Sequence, residues 1–206
     1  QAHMGLSHGI HLAYCTNIHR GGDWPETFRS LNEHTLRVRD RVSSAKPYAI
    51  GLRLGDSASR QLAQVDELDK FRAWLVQNDC YVFTINGFPY GDFHGKRVKE
   101  QVYKPDWTTV ERVEYTKRLF DILAVIAPAE SGGSVSTVPC SFKEFINTGE
   151  QVEAMRRNVW DVVEHIDALS EKTGKDLHLG LEPEPLCYLE TTGEMIRFYR
   201  QLRDDR

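Results

Sequence analysis

Cysteine is scarce in this 206-residue sequence, and its four thiols, Cys15, Cys80, Cys140 and Cys187, are widely scattered. No two stand in a CxxC spacing, and a chain of this length needs no disulfide framework. They are expected to be reduced thiols of a cytoplasmic protein, three of them serving as small buried hydrophobes in or beside strands. No apolar run approaches membrane-spanning length and no secretory pattern opens the chain, so membrane insertion is not expected. Basic charge is short as well: 26 Lys and Arg against 30 Asp and Glu leave a net charge of −4. A nucleic-acid partner would call for a basic stripe, and none is expected. The glycine spacing of a dinucleotide-binding turn is missing, and so is a P-loop. The opening Gln1-Ala2-His3-Met4-Gly5 looks like a cloning scar, so residues 1–7 are read as a tag and 8–206 as the folded part.

What is present is an ordinary globular mix, 40% hydrophobic and 27% charged, set out as an alternation of short apolar runs and helical periods. His11–Ile18 reads as a first strand. A helix follows with Asp23 as its cap, Pro25 in its first turn and an apolar stripe of Phe28, Leu31, Val38 and Val42. Tyr48–Leu54 is the second strand. Ser57 can cap the helical stretch after it, which carries Leu62, Val65, Leu68, Phe71 and Leu75. Tyr81–Asn86 is the third strand, followed by a long loop to about Trp107. A helix from about Thr108 to Ala127 turns Val110, Val113, Ile122, Leu123 and Ile126 inward, and Ser134–Pro139 is the fourth strand. Thr148 with Gln151 forms a capping box ahead of Val152, Met155, Val159, Val162, Ile166 and Leu169. Leu177–Glu182 is the fifth strand, and Thr191 with Glu194 opens a last helix through Ile196, Tyr199 and Leu202.

Such alternation means a parallel sheet covered by helices. Two architectures fit: an open doubly wound sheet, or a (β/α)8 barrel. Five strands would complete the first, whereas eight barrel units need roughly 250 residues, so length favours the open sheet. The residues favour the barrel. Read to their ends, the strands deliver Asn17 and His19, Arg53, Asn86, Thr137 and Glu182 to the one face where parallel folds hold their sites.

Glu182 follows an apolar run and precedes Pro183, which stops the ladder and fixes the exit of the chain. A carboxylate held there can ligate a divalent metal or act as a base beside a carbonyl substrate, or simply pair with an arginine such as Arg53. Glu184, which follows Pro183 and the end of the strand, reads as a solvated or helix-capping carboxylate. His19 and His94 are the remaining ligand or acid–base candidates. His178 reads as a packed core histidine, and His34 and His165 as structural or exposed. In the loop Asn86–Gly95, Gly87, Gly91 and Gly95 permit tight turns, Phe88, Tyr90 and Phe93 give apolar walls, and His94 a polar tip. Lys96, Arg97, Lys99 and Lys104 make the next stretch basic, either a solvated face or an attractor for an anionic group.

These residues form a wider pattern. YCTNIH at the first strand, TINGFPYGDFHG and VKEQVYKPDW after the third, STVP at the fourth and LGLEPEP at the fifth resemble the EboE-type metabolite traffic proteins, over nearly the whole chain from His8. That family lies within the xylose-isomerase-like TIM barrels, a superfamily of sugar isomerases, epimerases and endonuclease-IV-like enzymes. The resemblance implies a (β/α)8 barrel of xylose-isomerase type, of which this chain carries the first five βα units. It implies a divalent metal (Mn, Mg, Zn or Co) at the mouth, with Glu182 as ligand and proton shuttle. His94 would be a second catalytic group, and His19, Asn17, Arg53, Asn86, Phe88, Tyr90 and Lys99 would bind a small polyhydroxylated or carbonyl metabolite.

In the superfamily the other metal ligands come from strands six to eight, and this sequence stops after the fifth unit. The expectation is a fragment of a longer protein, or, less favoured, a homo-oligomer that covers an exposed sheet edge and an apolar inner face. The leading functional expectation is a metal-dependent isomerase or epimerase. A non-catalytic metabolite-binding protein on the same scaffold, in an export route, comes second. An endonuclease-IV-like phosphodiesterase comes last, disfavoured by the acidic balance.

Overall fold

Five strands pair side by side in chain order, β1 (Tyr14–Cys15), β2 (Tyr48–Arg53), β3 (Cys80–Asn86), β4 (Gly133–Thr137) and β5 (Leu177–Leu181), every pair parallel. They come from a computed structural model that describes Met4 and residues 6–43, 46–91 and 100–205. A doubly wound sheet reverses its strand order at a switch point. Here each crossover steps the same way, so the right-handed rule sets all the helices on one face. The chain therefore has the winding of a (β/α)8 barrel and holds five βα units of it, not an open doubly wound sheet.

The first crossover is α1 (Trp24–Ser30), a π turn (Leu31–Thr35) and α2 (Leu36–Val42). Asp23 caps α1 as expected, its carboxylate accepting the Glu26 N–H at 2.8 Å. The second crossover breaks into α3 (Asp56–Leu62) and α4 (Val65–Gln77). Ser57 is not its cap: Gly55 holds that place, because the Tyr90 carbonyl approaches so closely that a Cβ on Gly55 would lie 3.1 Å from it. The others are α5 (Val110–Ile126), α6 (Gly149–Thr173) and α7 (Thr192–Asp204). Both expected capping boxes form. Val65 and Val110, expected inside, are exposed, because each is the first residue of its helix and projects past the packed layer. Among the described residues no helix is long and apolar enough to cross a membrane.

The core lies between sheet and helices. Ile50 and Leu52 of β2, Val82 and Ile85 of β3, Val135 of β4 and Leu177 of β5 are buried together with Phe71, Leu119, Phe120, Met155 and Val159 from the helices. Strand alternation turns the neighbouring residues to the opposite, inner face. Register places Gly51, Thr84, Ser134 and His178 in one row across it, and Arg53, Asn86, Ser136 and Gly180 in the next. Thr84 and Ser134 share a hydroxyl hydrogen bond of 2.9 Å. Apart from Gly51 and Gly180 these two rows are polar, where an apolar surface was expected. His178 stands in the first row and is exposed, not packed in the core. Thr137 goes the other way: it lies on the helix side, fully buried, and Ser136 takes its expected place on the inner face.

The first strand is shorter than the apolar run His11–Ile18 led us to expect, because Thr16–Ile18 winds into a 3-10 turn. The Thr16 hydroxyl accepts the Arg53 N–H at 2.9 Å, a side chain standing in for the next ladder carbonyl. Met4 docks at the other end of the sheet, where its sulfur faces the Ala49 N–H at 3.0 Å and its carbonyl accepts from Leu12 N–H. Among the described residues all four cysteines are free; Cys80, Cys140 and Cys187 are buried and Cys15 is exposed.

Candidate functional site

Parallel pairing brings the C-terminal ends of the strands to one edge, and the polar residues read from the sequence gather there in two groups. The first surrounds the turn after β1. Asn17 is half-buried, and its side-chain oxygen has no hydrogen-bond partner among the described residues. His19 takes a 2.8 Å hydrogen bond between its Nε2 and the Tyr14 hydroxyl and stacks on His34, ring centres 4.9 Å apart. Burial first, and the neighbouring His34 second, hold the His19 imidazole below its usual pKa. Arg53 is buried at the end of β2 and donates from Nη2 to the Gly21 carbonyl at 3.0 Å. The crevice between Thr16, His19, Gly21 and Arg53 has about 10 Å³ of room, enough for one water and not for a metabolite.

The second group follows β3 and β5. Asn86 pairs in register with Arg53, and its side-chain oxygen accepts the Phe88 N–H at 2.9 Å, an Asx turn that starts the loop. Phe88 meets the Tyr103 ring edge-on at 5.7 Å. Tyr90 packs on Tyr115 of α5, ring centres 5.0 Å apart, which draws it toward the helix layer. His94 and Lys99 lie outside the described residues. Lys104, read as part of an anion-attracting stretch, sets its ammonium 4.3 Å over the Phe145 ring.

Glu182 donates its backbone N–H to the Thr137 carbonyl at 3.1 Å, the last rung beside β4 before Pro183. Alternation from His178 through Gly180 points its side chain to the inner face. The residue is exposed, and among the described residues its carboxylate makes no ion pair, with Arg53 or any other cation. Glu184 differs from the solvated or capping carboxylate expected. It is half-buried, and its Oε2 accepts the Tyr103 hydroxyl at 3.0 Å.

Tyr103 is the residue that sequence reasoning missed. Its signal was a hydroxyl-bearing aromatic just before Lys104-Pro105, within the VKEQVYKPDW stretch. Asp106, also missed, is buried and fully engaged: its oxygens accept from the Ser141 hydroxyl at 2.5 Å and from the Thr108 N–H at 2.9 Å.

An exposed carboxylate suits a hard divalent cation, so Glu182 fits as one ligand. Among the described residues no three of His, Cys, Asp and Glu are grouped to hold an ion, so part of the ligand set of such a site would lie outside them.

No family model matches the chain, and no curated protein matches it. Solved structures do. A xylose isomerase domain protein from Planctomyces limnophilus matches over 77% of this chain and 50% of its own, at 14% identity and a TM-score of 0.52. The probable 3-DHS dehydratase AsbF of Bacillus anthracis, involved in petrobactin synthesis, matches over 94% of this chain and 60% of its own, at 9% identity and a TM-score of 0.54. An IolI protein with a bound zinc atom matches at 14% identity over 93% and 59%, with a TM-score of 0.49. At such identities the likeness to the first two is one of fold, that of the xylose-isomerase-like barrels. The chain spans half to three-fifths of the length of the structures it matches.

Proposed function

We propose that this chain is the front part of a xylose-isomerase-type barrel of the EboE-type metabolite traffic family, an isomerase or epimerase of a small polyhydroxylated or carbonyl metabolite. The observation that carries the reading is the setting of Glu182. Its carboxylate stands past the last rung of β5, on the polar inner face, exposed and with no ion pair among the described residues. The winding of the sheet and the sequence motifs support the same reading.

Glu182 would give one oxygen ligand to a divalent cation (Mn, Mg, Zn or Co). Such an ion, when bound, polarises a substrate oxygen and so acidifies the neighbouring C–H. The Glu182 carboxylate would take that proton and return it on the same face to the adjacent carbon, for isomerisation, while a second proton passes between the two substrate oxygens; epimerisation would need a second acid on the opposite face of the carbon. Asn86 has spent its oxygen on Phe88, which leaves its amide N–H groups to hold a substrate hydroxyl.

Glu182→Gln in the full-length protein tests this. Metal content after dialysis and turnover of a panel of aldoses, ketoses and polyols are both expected to fall, turnover to background. Unchanged metal content would remove Glu182 from the site. Metabolite binding without turnover in the unaltered protein would favour a binding protein on the same scaffold.

A further inference from the structure

Three loops meet around one tyrosine at the mouth of the sheet. Tyr103 ends a 3-10 turn, Gln101–Tyr103, in the loop after β3. Its ring stacks on Phe142 of the loop after β4, with centres 5.3 Å apart and planes at 21°. Its hydroxyl donates to Glu184, in the loop after β5, at 3.0 Å. That last loop folds on itself, Glu184 N–H to Leu189 carbonyl at 3.3 Å and Cys187 N–H to Glu184 carbonyl at 3.1 Å. It is also pinned to the loop after β4 by Lys143 N–H to Leu186 carbonyl at 2.9 Å and Tyr188 N–H to Ser141 carbonyl at 2.8 Å.

Tyr103 is 8% exposed, and a phenol that deep needs a partner for its hydroxyl. Burial, and then Glu184 beside it, push its pKa well above the usual range, so it stays a donor. Glu184 in turn is separated from Glu182 by one residue, Pro183, whose ring locks its φ. On its other side Glu182 is fixed by the bond to Thr137. Its backbone is thus held from both directions, by the ladder before it and by the Tyr103 contact after it.

We propose that Tyr103 is a positioning residue for Glu182: through Glu184 and the rigid Pro183 it sets the direction in which the Glu182 carboxylate enters the mouth. The proposal rests on the reading of Glu182 as a cation ligand. Groups bonded directly to a ligand typically change metal affinity by about 10–100-fold when lost, and Tyr103, which acts through Glu184 and Pro183, is expected at or below the lower end of that range.

The test is Mn²⁺ binding by the full-length protein, followed by the electron paramagnetic resonance of the free ion, with melting temperature measured beside it. Tyr103→Phe keeps the ring packing and is expected to weaken Mn²⁺ binding measurably, by up to about tenfold, with the fold retained. Glu184→Gln keeps an oxygen to accept the hydroxyl and is expected to bind near the wild-type level, while Glu184→Leu matches Tyr103→Phe. Wild-type affinity in Tyr103→Phe overturns the proposal alone. A loss in Glu184→Gln as large as in Glu184→Leu also overturns it, since Glu184 would then be a ligand itself. Unchanged affinity in Glu182→Gln overturns the reading of Glu182 and the proposal together.

Discussion

Arg112 of α5 donates from Nη1 to the carbonyl of Gly87, the first residue past β3, at 2.8 Å, and both are buried. The same guanidinium reaches the carbonyls of Phe88 at 3.1 Å and Pro105 at 2.8 Å, so one cation ties the beginning of the loop after β3 to its end. Burial pushes its pKa down to about 10, which still leaves it charged at neutral pH.

Replacing Arg112 by Met is expected to destabilise the protein by about 2–4 kcal/mol, because the buried carbonyl of Gly87 and the half-buried carbonyls of Phe88 and Pro105 lose their donor at once. Arg112→Lys retains a cation and is expected to lose less. Urea unfolding of both variants checks the order.

A second prediction concerns pH. His19 has its pKa lowered in the fold, so the unfolded chain binds a proton there more readily than the folded one. Its contribution to stability is complete above the ordinary value of 6.5 and is lost as pH falls through the folded value. Stability should therefore decline below about pH 6.5, and His19→Gln should flatten part of that slope. A proton NMR titration that places His19 at or above 6.5 would refute the linkage.

The cap of α7 titrates in a different window. The backbone N–H groups of Thr191 and Glu190, with Lys143, hold the Glu194 carboxyl down at about 2 against an ordinary 4.5. Its contribution is present above 4.5 and is lost as pH falls toward 2. Glu194→Gln is expected to flatten stability in that acid window. Thr191→Ala is expected to cost about 1 kcal/mol at neutral pH, since it removes the other half of the capping box. Thermal unfolding across an acid pH series measures both.

Gly132, at the entry to β4, has φ +61°, and a Cβ there would lie 2.2 Å from the Asp176 carbonyl oxygen. Backbone stands on both sides of that clash, so neither can give way cheaply. Gly132→Ala is expected to destabilise by about 2–4 kcal/mol. Gly149→Ala, at the start of α6, meets nothing within 4 Å and should stay within about 0.5 kcal/mol of the wild type. Equal effects from the two would show that the crowding at Gly132 is not what matters.

The sequence by itself determined what is local. Asp23, Thr148 and Thr191 could be read as caps because each bonds only three residues ahead. The buried face of α6 (Met155, Val159, Val162 and Ile166) could be read because helical periodicity repeats within a few residues. The run of residues ending at Glu182 carried the strand and its stop in the same way. The tertiary structure decided what depends on distant partners. Strand order, which separates a barrel winding from a doubly wound sheet, is a property of pairings between strands tens of residues apart. His178 and Thr137 fell on the faces opposite to those expected because the side of a strand is set by what packs on it. Glu184 passed for a solvated carboxylate because the hydroxyl that claims it, on Tyr103, lies 81 residues earlier in the chain and meets it only when the loops after β3 and β5 close together.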